Sequence, residues 1–406
     1  MKNSKSNWLI FMCWLVYTSS YLGRYSYNSN MVSIINYYQI NHASAGLVTT
    51  FFFFAYGIGQ IINGLCCKYY NKRGTIGLVL IVSAFINFVA FFDIPFACMK
   101  YLWLLYGFLQ SFIWPLLIYI LASQLKQQEL KKSVVVMGTT VACGTLFIYG
   151  ISALFALFNG FKYVFLLSFI LMFLVGICWL IFYPKLTCNP TIKEKIENDS
   201  QQNIQKHIEK SVLIILMVLA FLAIINNLLK DGLTIWLPSI LQEKYNFSDS
   251  LSISLTLILP ILGTLGTILA VSLSKKINSI INLVSLLFLL STISLTIIIF
   301  FFKTPYWFIV LFFFCLISLF MHGINNIITS MAPLFLRNKI NSGMVAGILN
   351  GFCYVGSTIS SYLLGVIVDH YGWNYLLYML LIINILAFII PLFINFIKIQ
   401  QFKITS

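Results

Sequence analysis

Apolar runs of 18 or more residues recur along nearly the whole of this chain, and nothing else in it constrains the fold as strongly. A run of that length crosses a bilayer as a helix, and in lipid a helix satisfies its own backbone hydrogen bonds. Twelve such spans are expected, at roughly 8–32, 44–66, 75–96, 101–123, 134–158, 162–183, 212–241, 250–273, 279–301, 306–335, 342–367 and 373–396. Only 9% of the residues are charged, against about 25% in soluble domains. Aromatic runs such as "FFFFAYG" and "IIIFFFK" suit a surface turned toward lipid. The expected fold is an all-α integral membrane protein of twelve transmembrane helices in two pseudo-symmetric six-helix bundles.

The net charge of +15 would suggest a nucleic-acid partner in a soluble protein. Its placement argues otherwise. With the N-terminus inside, 19 of the 25 Lys and Arg fall on one side of the twelve spans, among them Lys68, Lys72, Arg73, Lys131, Lys132, Lys275, Lys276, Arg337 and Lys398. Only Lys100, Lys162, Lys244 and Lys303 fall on the other. That bias is the positive-inside pattern and puts both termini in the cytoplasm. Basic loops against anionic lipid account for the charge with no nucleic acid. The first apolar stretch is too long for a cleavable signal and lacks a small-residue cleavage site, so it is expected to stay as a span. The nine cysteines show no CxxC spacing and read as small core residues, so no metal and no cofactor are expected. Richness in Ile, Asn, Lys and Phe hints at an AT-rich genome and a bacterial inner membrane.

One polar stretch, "YPKLTCNPTIKEKIENDSQQNIQKHIEKS", interrupts the pattern. It divides the chain into an N-terminal bundle (1–183), a cytoplasmic linker (184–211) and a C-terminal bundle (212–406). The two halves look related. A shift of 206 residues lays Arg24 on Lys230 and Gly57 on Gly263, and "NGFKYVFLL" resembles "YGWNYLLYM". Repeats of this kind build many transporters, with the substrate site at the repeat interface near mid-membrane.

Two cations sit deep in spans at matching positions, Arg24 in the first and Lys230 in the seventh. Each costs about 2.5–3.5 kcal/mol to insert, so each marks a functional position. Polar stripes accompany them. Tyr17, Tyr21, Arg24 and Asn28 share one helical face, as do Tyr56, Gln60 and Asn63 in the second span. Asn227, Lys230 and Thr234 continue the set, with His322, Asn325, Asn326 and Thr329 in the tenth span and Asn350, Tyr354, Ser357 and Ser361 in the eleventh. Stripes of this kind either glue helices together or line a wet cavity. Two cations favour the cavity, and a cavity holding two cations favours a small anionic solute. Arg offers a planar fork for phosphate or carboxylate, and Lys a mobile point charge. Asp231, beside Lys230, is the one carboxylate deep in a span and the candidate for proton coupling. If it faces the cavity, a monoanion fits better than a dianion.

These residues carry a resemblance. "GLCCKYYNKR" resembles the loop between spans two and three of the major facilitator superfamily, so Gly64, Lys68, Lys72 and Arg73 are expected to act in conformational change. Within that superfamily the chain is most similar to the organophosphate:phosphate antiporters, the glycerol-3-phosphate and hexose-6-phosphate transporters. "YLGRYSY", "AYGIGQIINGL", "LLKDGLTIWLPSIL" and "GMVAGILNGFCYVGS" followed by "GVIVDHYGW" carry the match. The resemblance implies that Arg24 and Lys230 bind the anion's charge and that Tyr17, Tyr21, Tyr56 and Tyr354 line the site. Gln60, Asn227, Asn350 and His322 complete the expected substrate-binding set. The chain departs from the pattern at three points. Lys230 stands where the second arginine would be, Gln60 where the second span has a lysine, and the fifth span has no histidine.

The expected function is secondary active transport of a small organic anion, a phosphate ester exchanged for inorganic phosphate as counter-substrate, by a monomer. A proton-coupled symporter of a sugar acid or other carboxylate is the alternative. A non-transporting membrane sensor of a phosphorylated sugar is an alternative of another class. No HExxH, paired intramembrane carboxylates or Ser/His/Asp constellation points to an enzyme.

Overall fold

Because a lipid-exposed backbone must bond within its own segment, a chain this apolar is left with helices. In a computed structural model the chain is almost wholly α-helical; the structure describes residues 2–66, 69–125, 127–186, 210–277, 279–336 and 342–396. The first half holds α1 (Lys2–Tyr25), α2 (Met31–Tyr38), α3 (His42–Cys66), α4 (Lys72–Phe91), α5 (Phe96–Gln110), α6 (Ile113–Gln124), α7 (Gln127–Gly138), α8 (Thr140–Ala156) and α9 (Lys162–Leu186). The second holds α10 (Lys210–Tyr245), α11 (Asp249–Thr256), α12 (Ile258–Ser274), α13 (Ile280–Phe301), α14 (Trp307–Asn326), α15 (Ala332–Phe335) and α16 (Ser342–Phe396). The linker expected at 184–211 lies mostly outside the described residues.

Among the described residues ten helical segments are long and apolar enough to cross a membrane. The last of them, Gly347–Pro391, contains both final predicted spans, joined where Gly372 leaves helical geometry at φ 79° and ψ 173°. That region is open essentially to glycine alone. The first predicted span is α1, whose tyrosines, serines and Arg24 dilute its hydropathy. Large apolar side chains stay exposed along many helices, among them Phe54, Phe85, Phe158, Ile268, Phe300 and Ile382, which in a membrane is the lipid face.

Helix ends follow ordinary capping chemistry. Asn71, Ser248 and Ser279 cap α4, α11 and α13 by accepting from backbone N–H groups of the first turn. Asn159 and Asn246 adopt positive φ just beyond α8 and α10, the left-handed stop that asparagine tolerates. Several predicted spans are not single helices. The first closes in a 3-10 turn at Asn28–Asn30, the eighth divides at Leu257, and the tenth passes through a π-helical stretch at Ile327–Met331.

The chain gathers into two compact units. One comprises Met1–Tyr38 and Phe51–Asn203, where α4 packs on α9 and α1 on α8 and α9. The other comprises Gln39–Thr50 and Ile204–Ser406, where α10 packs on α16, α12 on α14, and α13 on both α14 and α16. In this division residues 39–50, the entry to the second span, count with the second unit.

Candidate functional site

In the first unit the stripe on α1 meets the stripe on α3. Tyr17 and Tyr21 touch edge to face with ring centroids 5.2 Å apart, and Tyr17 also lies 4.6 Å from Trp114 of α6. Arg24 is only 5% exposed. Its guanidinium carbon sits over three rings, 4.2 Å from the centroid of Tyr56, 4.6 Å from Tyr21 and 5.3 Å from Phe52. A desolvated cation over an aromatic face gains about 2 kcal/mol, and the ring stabilises the charge without cancelling it. Gln60 Nε2 donates to the Tyr56 hydroxyl at 2.8 Å and so holds that ring in place. Residues 1–186 contain just two acidic residues, Asp93 and Glu129. Asp93 is engaged by Lys162 and by the Tyr37 hydroxyl.

The rest of the first-half polar stripes serve as helix glue. Asn63 Nδ2 donates to Ser111 Oγ at 2.7 Å and accepts from the Tyr70 hydroxyl at 3.0 Å. Beyond Arg24, Ser26 donates to Asn87 of α4, while Ser29 and Asn30 bond Ser152 of α8. These bonds fix the end of α1 against its neighbours. Phe52 and Trp114 belong to the Arg24 cluster and were not singled out from sequence. Phe52 was findable, since it lies four residues before Tyr56 on the same helical face.

In the second unit the buried cation has a carboxylate beside it. Lys230 Nζ lies 3.4 Å from Asp231 Oδ1, and both side chains are about one-sixth exposed (17% and 16%). Ser357 of α16 donates to the other Asp231 oxygen. That contact needs α16 pressed against α10. A Cβ on Gly356 would stand 2.1 Å from the Ile224 carbonyl oxygen, so glycine is required there. Asn227 is buried one turn before this pair, and Asn350 and Tyr354 lie half-buried on α16, two turns and one turn before Ser357. From α16 the Cys353 thiol reaches Asn325 Oδ1 of α14 at 3.8 Å. His322 is anchored on its own helix: its Nδ1–H donates to the Ser318 carbonyl at 2.9 Å, and its ring packs on Gly263.

The loop expected to act in conformational change is partly described. Gly64 is exposed near the end of α3, Lys72 Nζ stands 4.5 Å over the Tyr119 ring, and Arg73 Nε donates to the Leu180 carbonyl at 2.9 Å. Lys68 lies outside the described residues. Among the described residues no group of three or more His, Cys, Asp or Glu could hold a metal ion.

Comparison with known proteins places this architecture. The sequence profile of the Major Facilitator Superfamily matches residues 13–342. Membrane sensor protein UhpC of Escherichia coli (strain K12) is 25% identical over 173 residues, 42% of this chain and 39% of that protein, so the matched part is well under half of that relative. Sugar phosphate exchanger 3 of Mus musculus is 23% identical over 406 aligned positions, covering 86% of this chain and 80% of that one. Among solved structures, the inward-facing, unoccupied bacterial homologue of the human lysosomal transporter Spinster superposes with a TM-score of 0.76 at 14% identity, covering 98% of both chains. The nucleoside transporter NupG gives 0.72 at 13% identity over 95% of this chain and 98% of its own. These two share the fold. The chain is a multi-pass membrane protein and belongs to the Major Facilitator Superfamily, whose members are transporters and not enzymes.

Proposed function

We propose that this protein carries a small organic anion across the membrane by alternating access, exchanging a phosphate ester for inorganic phosphate. One observation carries the reading: a buried guanidinium, Arg24, ringed by Tyr21, Phe52 and Tyr56, in a stretch, residues 1–186, with just two acidic residues. Ring faces stabilise its charge without neutralising it, and the planar fork of a guanidinium matches phosphate or carboxylate. A positive charge held in low dielectric resists further burial until an anion offsets it. Return of the empty carrier is therefore slow, and exchange outpaces net flux.

Lys230 is the second proposed ligand, and Asp231 tempers it. Arg24, Lys230 and ionised Asp231 together carry one net positive charge. A phosphate monoester loses its second proton near pH 6. Its monoanion matches the set with Asp231 ionised, and its dianion matches the set with Asp231 protonated. Sequence similarity to a sugar phosphate exchanger over most of the chain supports this choice of substrate class.

The Lys230–Asp231–Ser357 contact favours a second reading, proton-coupled symport of a sugar acid, with Asp231 taking the proton. Proteoliposomes separate the two. Under the exchange reading, vesicles loaded with phosphate take up labelled hexose phosphate or glycerol phosphate and unloaded vesicles do not. Uptake into unloaded vesicles that follows an inward proton gradient and is lost in Asp231→Asn assigns symport. Binding without flux in either format assigns a sensor.

A further inference from the structure

The first two turns of α3 count with the second unit and are held within it by a group of residues that the Arg24 and Lys230 clusters do not use. The Asp369 carboxylate of α16 accepts from the His42 and Ala43 backbone N–H groups at 3.0 and 2.7 Å. These are first-turn amides that lack a partner inside their own helix. The same carboxylate faces His42 Nδ1 at 2.8 Å. Glu243 of α10 faces the other ring nitrogen, Nε2, at 2.6 Å, and its second oxygen accepts from Trp373 Nε1 at 2.9 Å. The imidazole also packs on the indoles of Trp236 and Trp373, its centroid 5.5 Å from each, and the two indoles touch each other at 6.4 Å.

Below the ring the backbones touch. A Cβ on Gly46 would stand 1.8 Å from the Ser361 carbonyl oxygen, and one on Gly365 would stand 2.7 Å from the His42 carbonyl oxygen. Thr50 closes the contact with a 2.6 Å bond to Ser361 Oγ. From Phe51 onward α3 counts with the first unit.

The two ring contacts set the chemistry. Carboxylates only accept, so a ring that bonds both must donate from both nitrogens, and only the imidazolium does so. The neutral ring would turn a lone pair on one of the two carboxylates. Among the described residues no further charged group is recorded against the ring: Lys244 stands over Phe302, and His370 meets Tyr371. Without the imidazolium the two carboxylates would also repel each other across it. Glu243 is 37% exposed, so protons reach the cluster from water.

We propose that His42 is a proton-operated latch: protonated, it fastens residues 42–50 to α10 and α16, and on losing its proton it lets them go. The latch sits at the end of α3 remote from the basic 68–73 segment. Its purpose, to make opening on that side depend on pH, rests on the transporter reading, whereas the latch itself is testable without any substrate.

Hydrogen–deuterium exchange of the 39–50 peptide in detergent or nanodiscs is the test, with wild type and His42→Gln compared at each pH so that intrinsic exchange rates cancel. At pH 5 the wild-type segment exchanges about tenfold slower than the variant, the effect of one charge-assisted bond, and at pH 8 the two converge. Glu243→Gln offers an amide donor to the neutral ring, so its segment stays protected to the same degree at both pH values. The α4 peptide, remote from the latch, shows no such difference. A wild-type to His42→Gln ratio that is equal at pH 5 and pH 8 overturns the proposal. If His42→Gln does not fold, wild type is compared with Glu243→Gln. A ratio near one at pH 5 that rises at pH 8 supports the latch, and an unchanged ratio overturns it.

Discussion

At the scale of single residues, the account turns on how Arg24 is held. Three aromatic faces bound a guanidinium that a lysine ammonium could approach but not imitate, because an ammonium has no fork and no plane. Arg24→Lys is expected to weaken phosphate-ester binding about tenfold, by loss of one charge-assisted hydrogen bond, measured by titration calorimetry on purified protein. Gln60→Ala removes the bond that holds Tyr56 and is expected to cost less, about two- to tenfold in affinity. The cation, the tyrosines and Gln60 were legible in the sequence because helical spacing alone places them on facing stripes. What spacing could not show is which polar residue glues and which lines. Asn63 shares the stripe of Tyr56 and Gln60 yet is consumed by Ser111 and Tyr70. The Asp231 contact to Ser357 and the His42 cluster depend on residues more than a hundred positions apart, a distance that periodicity does not reach.

Among the elements, the positions of the spans were readable and their irregularities were not. Hydropathy finds a run of apolar residues but is blind to the 3-10 turn at Asn28–Asn30, the division at Leu257 and the π-helical stretch at Ile327–Met331. The turn at Gly372 was visible as the gap between the last two spans. Gly372→Ala forces a side chain into that backbone region and is expected to destabilise the protein by about 1–3 kcal/mol, read as a lower melting temperature in detergent with the same helical content at low temperature. At the start of α9, Lys162 and then Tyr37 hold the Asp93 carboxyl below its ordinary value, on the loop before α5. A lowered carboxyl contributes stability above its unfolded value, about 3.9, and loses it as pH falls through the lower folded value. Asp93→Asn is therefore expected to melt below wild type at pH 7, with the gap closing in strong acid.

At the scale of the whole chain, the division into two units and the placement of charge outlast any single contact. Arg24 of the first unit is buried and Lys230 of the second is largely so, 206 positions apart. The environments have diverged: aromatic faces surround Arg24, while a carboxylate accompanies Lys230. Under the proposed function that asymmetry would separate fixed anion binding in the first unit from adjustable charge in the second, and it is the physical reason for weighing exchange against proton coupling. Unit membership of residues 39–50 was not legible, since only packing reveals where a helix spends its first two turns. The most direct test of the central claim is a thermal-shift titration of the purified protein with inorganic phosphate, hexose phosphates, sugar acids and the matching uncharged sugars. A ligand that binds only the folded state at a hundred times its Kd stabilises it by about 2.7 kcal/mol. The account predicts such a shift for at least one of the anions, none for the uncharged sugars, and none in Arg24→Ala. An equal shift from an uncharged sugar, or an anion shift that survives in Arg24→Ala, would contradict it.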